Sequence, residues 1–353
     1  MRYLMSLDRL NPNAHIYIYG AGSYGEILYK SLGFYRPDIE VAGFVDSFKT
    51  GELLGLPVIK SSDYDRLGKY DHIIIATDYM YWEEITETLI NYDIKNYYIN
   101  TFFDFDIYGE KQCNKYQKFE KLTSLVKDIF KDEKDKEIWD VITKSMEEYN
   151  VNYILKYFEE KESLEENYLK KVRLSANDIV FDGGAYDGKD VLEFAGKVGD
   201  KGLVYAFDPR AKLEQQFKGN SFSNIVIVPK ALCDKRAEMF FVDTGSTTVL
   251  CNDWHEGAIS VESITIDGFV DENKINRLDF VKLDVEGSEL DVLRGGERSI
   301  KKLKPKMAIS IYHKLEHFFE IPLYLNRILP DYSFHLSLHN PYCIGTLLHA
   351  IPV

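Results

Sequence analysis

Lys282, Asp284, Glu286 and His313 are the side chains whose types and spacing point most directly to chemistry. The first three lie in Leu278-Asp279-Phe280-Val281-Lys282-Leu283-Asp284-Val285-Glu286-Gly287-Ser288-Glu289, an apolar strand interrupted by a lysine and ending in carboxylates. Strand alternation puts Lys282, Asp284 and Glu286 on one side for as long as the strand persists. Three charges at the mouth of a sheet are costly unless they pair or bind something. Ligands of open α/β sheets sit outside the carboxyl ends of the strands, so Asp284 and Glu286 are expected in the cleft. The next apolar run, Met307-Ala308-Ile309-Ser310-Ile311, delivers Tyr312-His313-Lys314. Histidine ordinarily titrates near neutrality, which makes His313 the expected general base. Asp284 and Glu286 are also the residues that would hold Mg²⁺ or Mn²⁺ and acidify a hydroxyl. The competing expectation is a purely structural salt bridge among Lys282, Asp284 and Glu286.

The elements that position such groups begin at Val180-Phe181-Asp182-Gly183-Gly184-Ala185-Tyr186-Asp187-Gly188. An apolar strand runs into a glycine turn, and Lys189 to Gly196 reads as a helix. Glycine is needed where the backbone turns sharply or approaches a ligand closely. Leu203-Val204-Tyr205-Ala206-Phe207-Asp208-Pro209 follows as a second strand, with a carboxylate where both ribose hydroxyls could donate. Strand, turn, helix N-terminus and acid together predict an adenosine ligand, and NAD and S-adenosylmethionine both fit.

A second glycine loop lies near the start of the chain. His15-Ile16-Tyr17-Ile18-Tyr19 reads as a strand, Gly20-Ala21-Gly22-Ser23-Tyr24-Gly25 matches G-x-G-x-x-G, and a strand from Glu40 ends at Asp46. Further strands at 73–77 and 97–100 and a helix from Trp82 to Asn91 complete a β-α-β-β-α-β order. Residues 1–104 resemble the small Rossmann-like domains found beside sugar-modifying enzymes, including the sugar acyltransferase type. Gly20, Gly22, Gly25 and Asp46 form a candidate second nucleotide site for NAD or a nucleotide-sugar, and an empty, structural Rossmann domain is the alternative. A nicotinamide sugar oxidoreductase or a nucleotide-sugar-binding module built on this loop competes with any activity of the C-terminal part. No Tyr-x-x-x-Lys dyad accompanies the loop.

Composition bounds these readings. The 353 residues are 45% hydrophobic and 28% charged, enough for more than one domain with a sizeable core. Aromatics reach 14%, with 25 tyrosines and 21 phenylalanines, which can build a core or line a pocket for sugar-like ligands. A net charge of -14 disfavours a sequence-independent grip on nucleic acid. Residues 105–174 carry amphipathic stripes such as Phe119, Leu122, Leu125, Val126, Ile129 and Phe130, and predict a helical connector. Within it, the charged run Lys131 to Glu137 reads as an exposed loop. Cys113, Cys233, Cys251 and Cys343 form no C-x-x-C pair, so free thiols are expected. Met1 to His15 has no apolar leader and no run is long enough to span a bilayer, so the expected location is the cytoplasm. Oligomeric state is left open.

Asp182-Gly183-Gly184-Ala185-Tyr186-Asp187-Gly188, Ala206-Phe207-Asp208-Pro209, Lys282 to Glu289 and Ala308-Ile309-Ser310-Ile311-Tyr312-His313-Lys314 together resemble the FkbM family of S-adenosylmethionine-dependent methyltransferases. The likeness covers about residues 150–353. It implies a class I methyltransferase domain over 175–353, a Rossmann-like α/β sheet of seven strands with the last antiparallel. Strands are expected at 179–182, 203–207, 225–228, 279–284, 307–312, 332–337 and 346–351. It further implies O-methyl transfer to a hydroxyl of a sugar, nucleotide-sugar or surface glycan, with no nucleic-acid partner. Asp182 to Gly188, Asp208 and Pro209 would bind the cofactor: the 183–185 backbone and Asp187 at the methionine end, Asp208 at the ribose. Ala231 and Leu232 would lie against adenine. Two departures from the family pattern are Asp208, commonly Glu, and Leu338-His339-Asn340 in place of Arg-His-Tyr.

Overall fold

A computed structural model describes residues 3–4, 7, 10–77, 81–100, 116–148, 152–161, 168–210, 213, 217, 222–243, 248–251, 259–339 and 345–353. Cys113, Cys343, Asn340 and the expected boundary at 104 lie outside the described residues. The chain divides into two compact units, residues 1–114 with 144–153, and residues 115–143 with 154–353.

Unit 1 is built on a seven-stranded sheet. Its strands are β1 (Tyr3–Leu4), β2 (His15–Tyr19), β3 (Glu40–Asp46), β4 (Gly51–Leu53), β5 (Leu56–Lys60), β6 (His72–Ile75) and β7 (Tyr97–Asn100), in the order β1-β7-β6-β2-β3-β5-β4. All neighbours are parallel except β4 and β5. Ile16, Ile18, Ile73, Ile74 and Ile75 are fully buried, because central parallel strands are covered on both faces. The helices Ser23–Tyr35 and Trp82–Asn91 supply crossovers. The β4–β5 hairpin is not anticipated from the sequence. Its turn uses Leu54 at φ 53° and Gly55 at φ 80°, a mirror-image turn in which leucine stands where Asn or Gly would have announced it.

Unit 2 carries the seven expected strands with small shifts at their ends. They are β8 (Ile179–Gly183), β9 (Leu203–Phe207), β10 (Ile225–Val228), β15 (Phe280–Leu283), β16 (Lys306–Ser310), β17 (Tyr332–Leu338) and β18 (Thr346–Pro352). Their order is β10-β9-β8-β15-β16-β18-β17, and β18 runs antiparallel to both neighbours. This is the class I methyltransferase sheet. The chain winds outward from β8 through β9 and β10, then returns to β15 on the other side of β8. The topological switch point therefore lies between β8 and β15, and Lys282 pairs in register with Asp182.

Between β10 and β15 the chain builds a second sheet of β11 (Ala231–Leu232), β12 (Glu238–Asp243), β13 (Thr248–Cys251) and β14 (Ile259–Ile264), in the order β11-β14-β12-β13. Thr265 then caps the helix Ile266–Glu272 by accepting from Gly268 N at 2.9 Å. The connector contributes helices at Thr123–Lys127, Glu133–Glu148 and Asn152–Lys161. Phe119 stacks on Phe319 with centroids 5.3 Å apart, and Trp139 meets the same ring edge-on at 5.5 Å. The Lys131 to Glu137 run is not a loop throughout. A helix starts at Glu133, and Asp135 is fully buried, accepting from Leu336 N at 3.0 Å and lying 2.8 Å from His335 Nδ1. A carboxylate on that turn covers part of the edge strand β17, whose amides would otherwise be unpaired.

Candidate active site

The loop after β8 is shaped by three glycines that no other residue could replace without movement. Gly184 has φ 80°, and a Cβ there would stand 1.8 Å from Asp284 O. Gly188 has φ 74°, and a Cβ there would stand 2.4 Å from Phe217 Cε2. Gly183 fits between Leu232 and Leu283, each 3.0 Å from where its Cβ would lie. Gly184 N and Ala185 N both donate to Phe207 O, at 2.9 and 3.2 Å. Tyr186 sits at φ 43°, half exposed, and its amide donates to Asp208 Oδ2 at 2.9 Å. A non-glycine residue at positive φ is strained, and such strain collects at functional sites. Asp187 pairs with Lys189 at 3.0 Å at the head of the helix Lys189–Val198.

Beneath this loop Lys282 is buried. Its Nζ lies 3.0 Å from Asp182 Oδ1 and 4.0 Å from Asp190 Oδ2, and donates to Gly184 O at 2.7 Å. Burial works against its charge, but Asp182, Asp284 and Asp190 outweigh burial and hold it protonated. The lysine thus bridges β15 to the glycine loop from below.

The turn after β15 is a second strained corner. Glu286 has φ 52° and Gly287 φ 93°. Glu289, the first residue of the helix Glu289–Gly295, folds its carboxylate back over that turn. Its Oε1 accepts from Val285 N at 3.0 Å and Gly287 N at 3.2 Å, and meets His313 Nδ1 at 2.7 Å. His317 Nδ1 approaches the other oxygen at 3.1 Å. The second nitrogen of His313 lies 3.4 Å from both Asp284 Oδ1 and Glu286 Oε2. Asp284 is gripped by two phenols, Tyr168 at 2.7 Å and Tyr312 at 3.3 Å. One imidazole is therefore ringed by three carboxylates.

That ring sets the protonation states. Burial would lower His313, but Glu289, Asp284 and Glu286 raise it to about 9. Burial raises Glu286 to about 7, reinforced by Asp284 and Glu289 and opposed by His313 and Arg210. Burial also pushes on Asp284, yet His313, Lys282 and the Tyr168 hydrogen bond hold it below the usual carboxylate range. Glu289 is held low by His313 and His317 despite burial. Asp284, Glu289 and His313 bring ligand-type atoms within 4.8 Å of one another. Those atoms are engaged with one another as an ion-pair network.

Residues 182–336 match the family model described as the methyltransferase FkbM domain, and residues 12–100 match that described as C2185-like, N-terminal. The 182–336 segment belongs to the FkbM methyltransferase family. Across 98% of this chain and 92% of the other, the fold is similar to the crystal structure of methyltransferase FkbM from Methylobacillus flagellatus KT, with a TM-score of 0.69 at 20% identity. A putative rRNA-methylase from Clostridium thermocellum covers 53% of this chain and 92% of its own, with a TM-score of 0.37 at 12% identity. A fibrillarin from Aeropyrum pernix with natively bound S-adenosyl-L-methionine covers 50% of this chain and 67% of its own, with a TM-score of 0.33 at 10% identity. No curated protein matches. Membership supports S-adenosylmethionine-dependent methyl transfer by the FkbM domain. No helix among the described residues is long and apolar enough to cross a membrane.

Within the FkbM domain, the residues expected at the site fall into two groups. Asp208, Tyr186, Asp284, Glu286 and His313 converge around the loops after β8, β9, β15 and β16. Asp182, Lys282, Ala231 and Leu232 are buried, and Pro209 is half-buried. The expected salt bridge among Lys282, Asp284 and Glu286 takes another form: Lys282 pairs with Asp182 and Asp190, whereas Asp284 and Glu286 pair with His313. His313, expected as the base, is pushed up to about 9 by the three carboxylates around it, which favours its protonated form at neutral pH. Ser288 occupies the N-cap position without a side-chain capping bond. Sequence reasoning missed Glu289, Tyr168, Asp190 and Arg210. The fourfold spacing from Val285 to Glu289 was the one available signal, since a carboxylate opening a helix can reach back over its own turn.

In unit 1, Gly20 has φ 117° and would place a Cβ 2.4 Å from Ala76 O, while a Cβ on Gly25 would stand 1.9 Å from Gly20 O. Those two glycines are required by packing. Gly22 would meet nothing within 4 Å. Asp46 accepts from Ala21 N at 2.8 Å, Phe48 N at 2.8 Å and Lys49 N at 2.9 Å.

Proposed function

We propose that the FkbM domain transfers the methyl group to a hydroxyl oxygen of a sugar, nucleotide-sugar or glycan, with Glu286 as the general base. The observation that carries this reading is Glu286 itself. It is presented on a strained turn at the carboxyl end of β15, its side chain one-third exposed, and burial raises it to about 7. A carboxylate poised near neutrality can take a hydroxyl proton at the working pH, which a carboxylate at its ordinary pKa does poorly.

S-adenosylmethionine, when bound, supplies an electrophilic methyl that needs only an aligned nucleophile. This chain's own groups fit such a ligand. The glycine loop carries the backbone to the head of the Lys189–Val198 helix, and Asp208 stands at the end of β9. Asp284 and Glu286 provide negative charge for a cationic ligand. His313, held protonated, orders Asp284 and Glu286 and would favour the ionised form of the base. Lys282 holds the glycine loop in place through Gly184 O rather than meeting an acceptor. Asp208 would receive the ribose, and Ala231 and Leu232 support the floor beneath adenine.

The carbohydrate part of the reading draws support from unit 1. A cavity of about 730 Å³ there is lined by Tyr64, Tyr70 and Tyr92 together with Lys95 and Asn96. Aromatic faces interleaved with amide and charged groups suit a polyhydroxylated ring. The test is a panel of nucleotide-sugars and monosaccharides, following S-adenosylhomocysteine formation against pH with wild type and Glu286→Gln. A sugar-dependent rate that rises through about pH 7 and falls 10²- to 10⁴-fold in the variant is expected, with cofactor binding retained. Full activity in Glu286→Gln refutes the base, and methylation of an amine or carboxylate instead refutes the acceptor class.

A further inference from the structure

The tyrosine-lined cavity of unit 1 lies at the other end of its sheet from the glycine loop. Gly20 to Gly25 follows the carboxyl end of β2, whereas Tyr70 and residues 94–96 stand just before β6 and β7. β2, β6 and β7 are parallel, so the two features occupy opposite edges. Nucleotides sit at the carboxyl edge of such sheets, with a helix N-terminus for their phosphates. The cavity is on the edge that offers neither.

Its rings are held in fixed positions. The short 3₁₀ turn Tyr64–Arg66 buries Tyr64, whose ring lies 4.7 Å from that of Tyr92 at a tilt of 57°. Tyr70 meets Tyr17 of β2 edge-on at 5.8 Å, and the Tyr17 hydroxyl accepts from Gly68 N at 3.2 Å. Tyr92 closes the helix Trp82–Asn91 and is 51% exposed, which puts it at the rim. Tyrosine faces can cover the C–H side of a pyranose. Asp65, Asp93, Lys95 and Asn96 line the same cavity and supply donors and acceptors for a hydroxyl edge. Its volume of about 730 Å³ is that of an ordinary small-molecule site.

Charge then selects among sugars. Two carboxylates, Asp65 and Asp93, face one ammonium, and Lys95 Nζ already lies 2.7 Å from Asp93. The Trp82–Asn91 helix also ends at this cavity, and a helix C-terminus carries the negative end of its dipole. Both features oppose a phosphate and favour a neutral or cationic ring.

We propose that unit 1 is a carbohydrate-binding unit: its cavity takes an uncharged or amino-bearing pyranose and discriminates against sugar phosphates and nucleotide-sugars. The proposal rests on the sugar reading above for the class of occupant, and it assigns ring recognition to unit 1 without any step of the methyl transfer.

The probes are the methyl glycosides of glucose, galactose and mannose, with glucosamine and glucose 1-phosphate, titrated into the full chain by calorimetry. Hydrogen exchange at saturating sugar reports where binding occurs. At least one uncharged or amino sugar should bind, with a Kd of roughly millimolar, and should protect residues 64–70 and 92–96. Glucose 1-phosphate should bind at least about threefold more weakly. Tyr92→Ala, at the exposed rim, should weaken the sugar that binds by roughly three- to tenfold. Asp65→Asn, also exposed, should narrow the gap to glucose 1-phosphate by roughly two- to fivefold. Absence of binding by every probe, or affinity unchanged in Tyr92→Ala, overturns the site. Glucose 1-phosphate binding as tightly as the other sugars, or a gap unchanged in Asp65→Asn, overturns the selection by charge. Protection confined to the FkbM domain overturns the site while leaving the acceptor reading standing. Conversely, protection at 64–70 and 92–96 upholds the site even where the methyl-transfer panel yields an acceptor other than a sugar.

Discussion

Glu289→Gln isolates the interaction that sets the charge of the site. Glutamine keeps the shape and the acceptor oxygen for Val285 N and Gly287 N, but removes the buried charge facing His313. His313 stands at about 9 against an ordinary 6.5, with Glu289 the largest of the carboxylates raising it. Two and a half pH units correspond to about 3 kcal/mol favouring the imidazolium in the folded state. The lowered Glu289 carboxyl describes the same contact from its other end and is not added. A raised histidine contributes its stability fully below its unfolded value of 6.5 and loses it as pH rises through about 9. The variant should therefore melt lower than wild type by roughly 5–10 °C at pH 6, with the gap closing as pH approaches 10. The assay is a pair of readouts: the His313 titration by histidine-selective NMR, and melting temperature from pH 6 to pH 10. His313 should fall by one to two units in the variant. A His313 titration that stays near 9, or a melting gap that is constant across this range, would falsify the assignment of Glu289 as its main partner.

The glycine loop of unit 1 gives a contrasting pair. Gly25→Ala would place a Cβ 1.9 Å from the backbone oxygen of Gly20, so it should cost about 1–3 kcal/mol and be visible as a lowered melting temperature. Gly22→Ala meets nothing within 4 Å at an ordinary φ of -116°, and should cost under about 1 kcal/mol. In unit 2, Asp135→Ala would leave Leu336 N and His335 Nδ1 without their shared acceptor. A loss of about 3 kcal/mol is expected, with faster hydrogen exchange at the Leu336 amide. Unchanged exchange there would mean that Asp135 does not guard the edge of β17.

β2, β3, β6 and β7 of the first sheet and the seven strands of the main sheet of unit 2 were legible because each is a short, mostly apolar run; β1 was not read. Ile73-Ile74-Ile75 and Phe280 to Leu283 could be nothing but interior strands. The β4–β5 hairpin was not legible, since Leu54 adopts a left-handed conformation that its sequence does not advertise. The β11–β14 sheet was hidden by charged residues such as Glu238 and Glu262, which face solvent on a sheet outside the main fold. In the site, the location of Asp284 and Glu286 followed from strand ends alone. Their chemistry did not. Whether His313 is a base or a cation depends on Glu289, 24 residues earlier, and on how deeply both are buried. Tyr168 reaches Asp284 across 116 residues, a contact that only the closed fold creates.

Two glycine loops with nearly the same spacing to an acid lead to different expectations once donors are counted. In both units the acid after the second strand accepts from a loop amide, Ala21 N to Asp46 and Tyr186 N to Asp208. The spacing that predicts a ribose thus has a local cause as well, since the carboxylate holds the loop that precedes it. The difference lies in the remaining donors. Asp46 binds Phe48 N and Lys49 N, which belong to its own backbone turn and cannot leave without unmaking it. Asp208 gives half of its acceptor positions to the side chain of Arg210. A carboxylate clamped only by backbone is a structural fastening, whereas one held partly by a side chain is not bound to that partner by the turn itself. By that criterion we propose Asp208, rather than Asp46, as the acid that binds a diol.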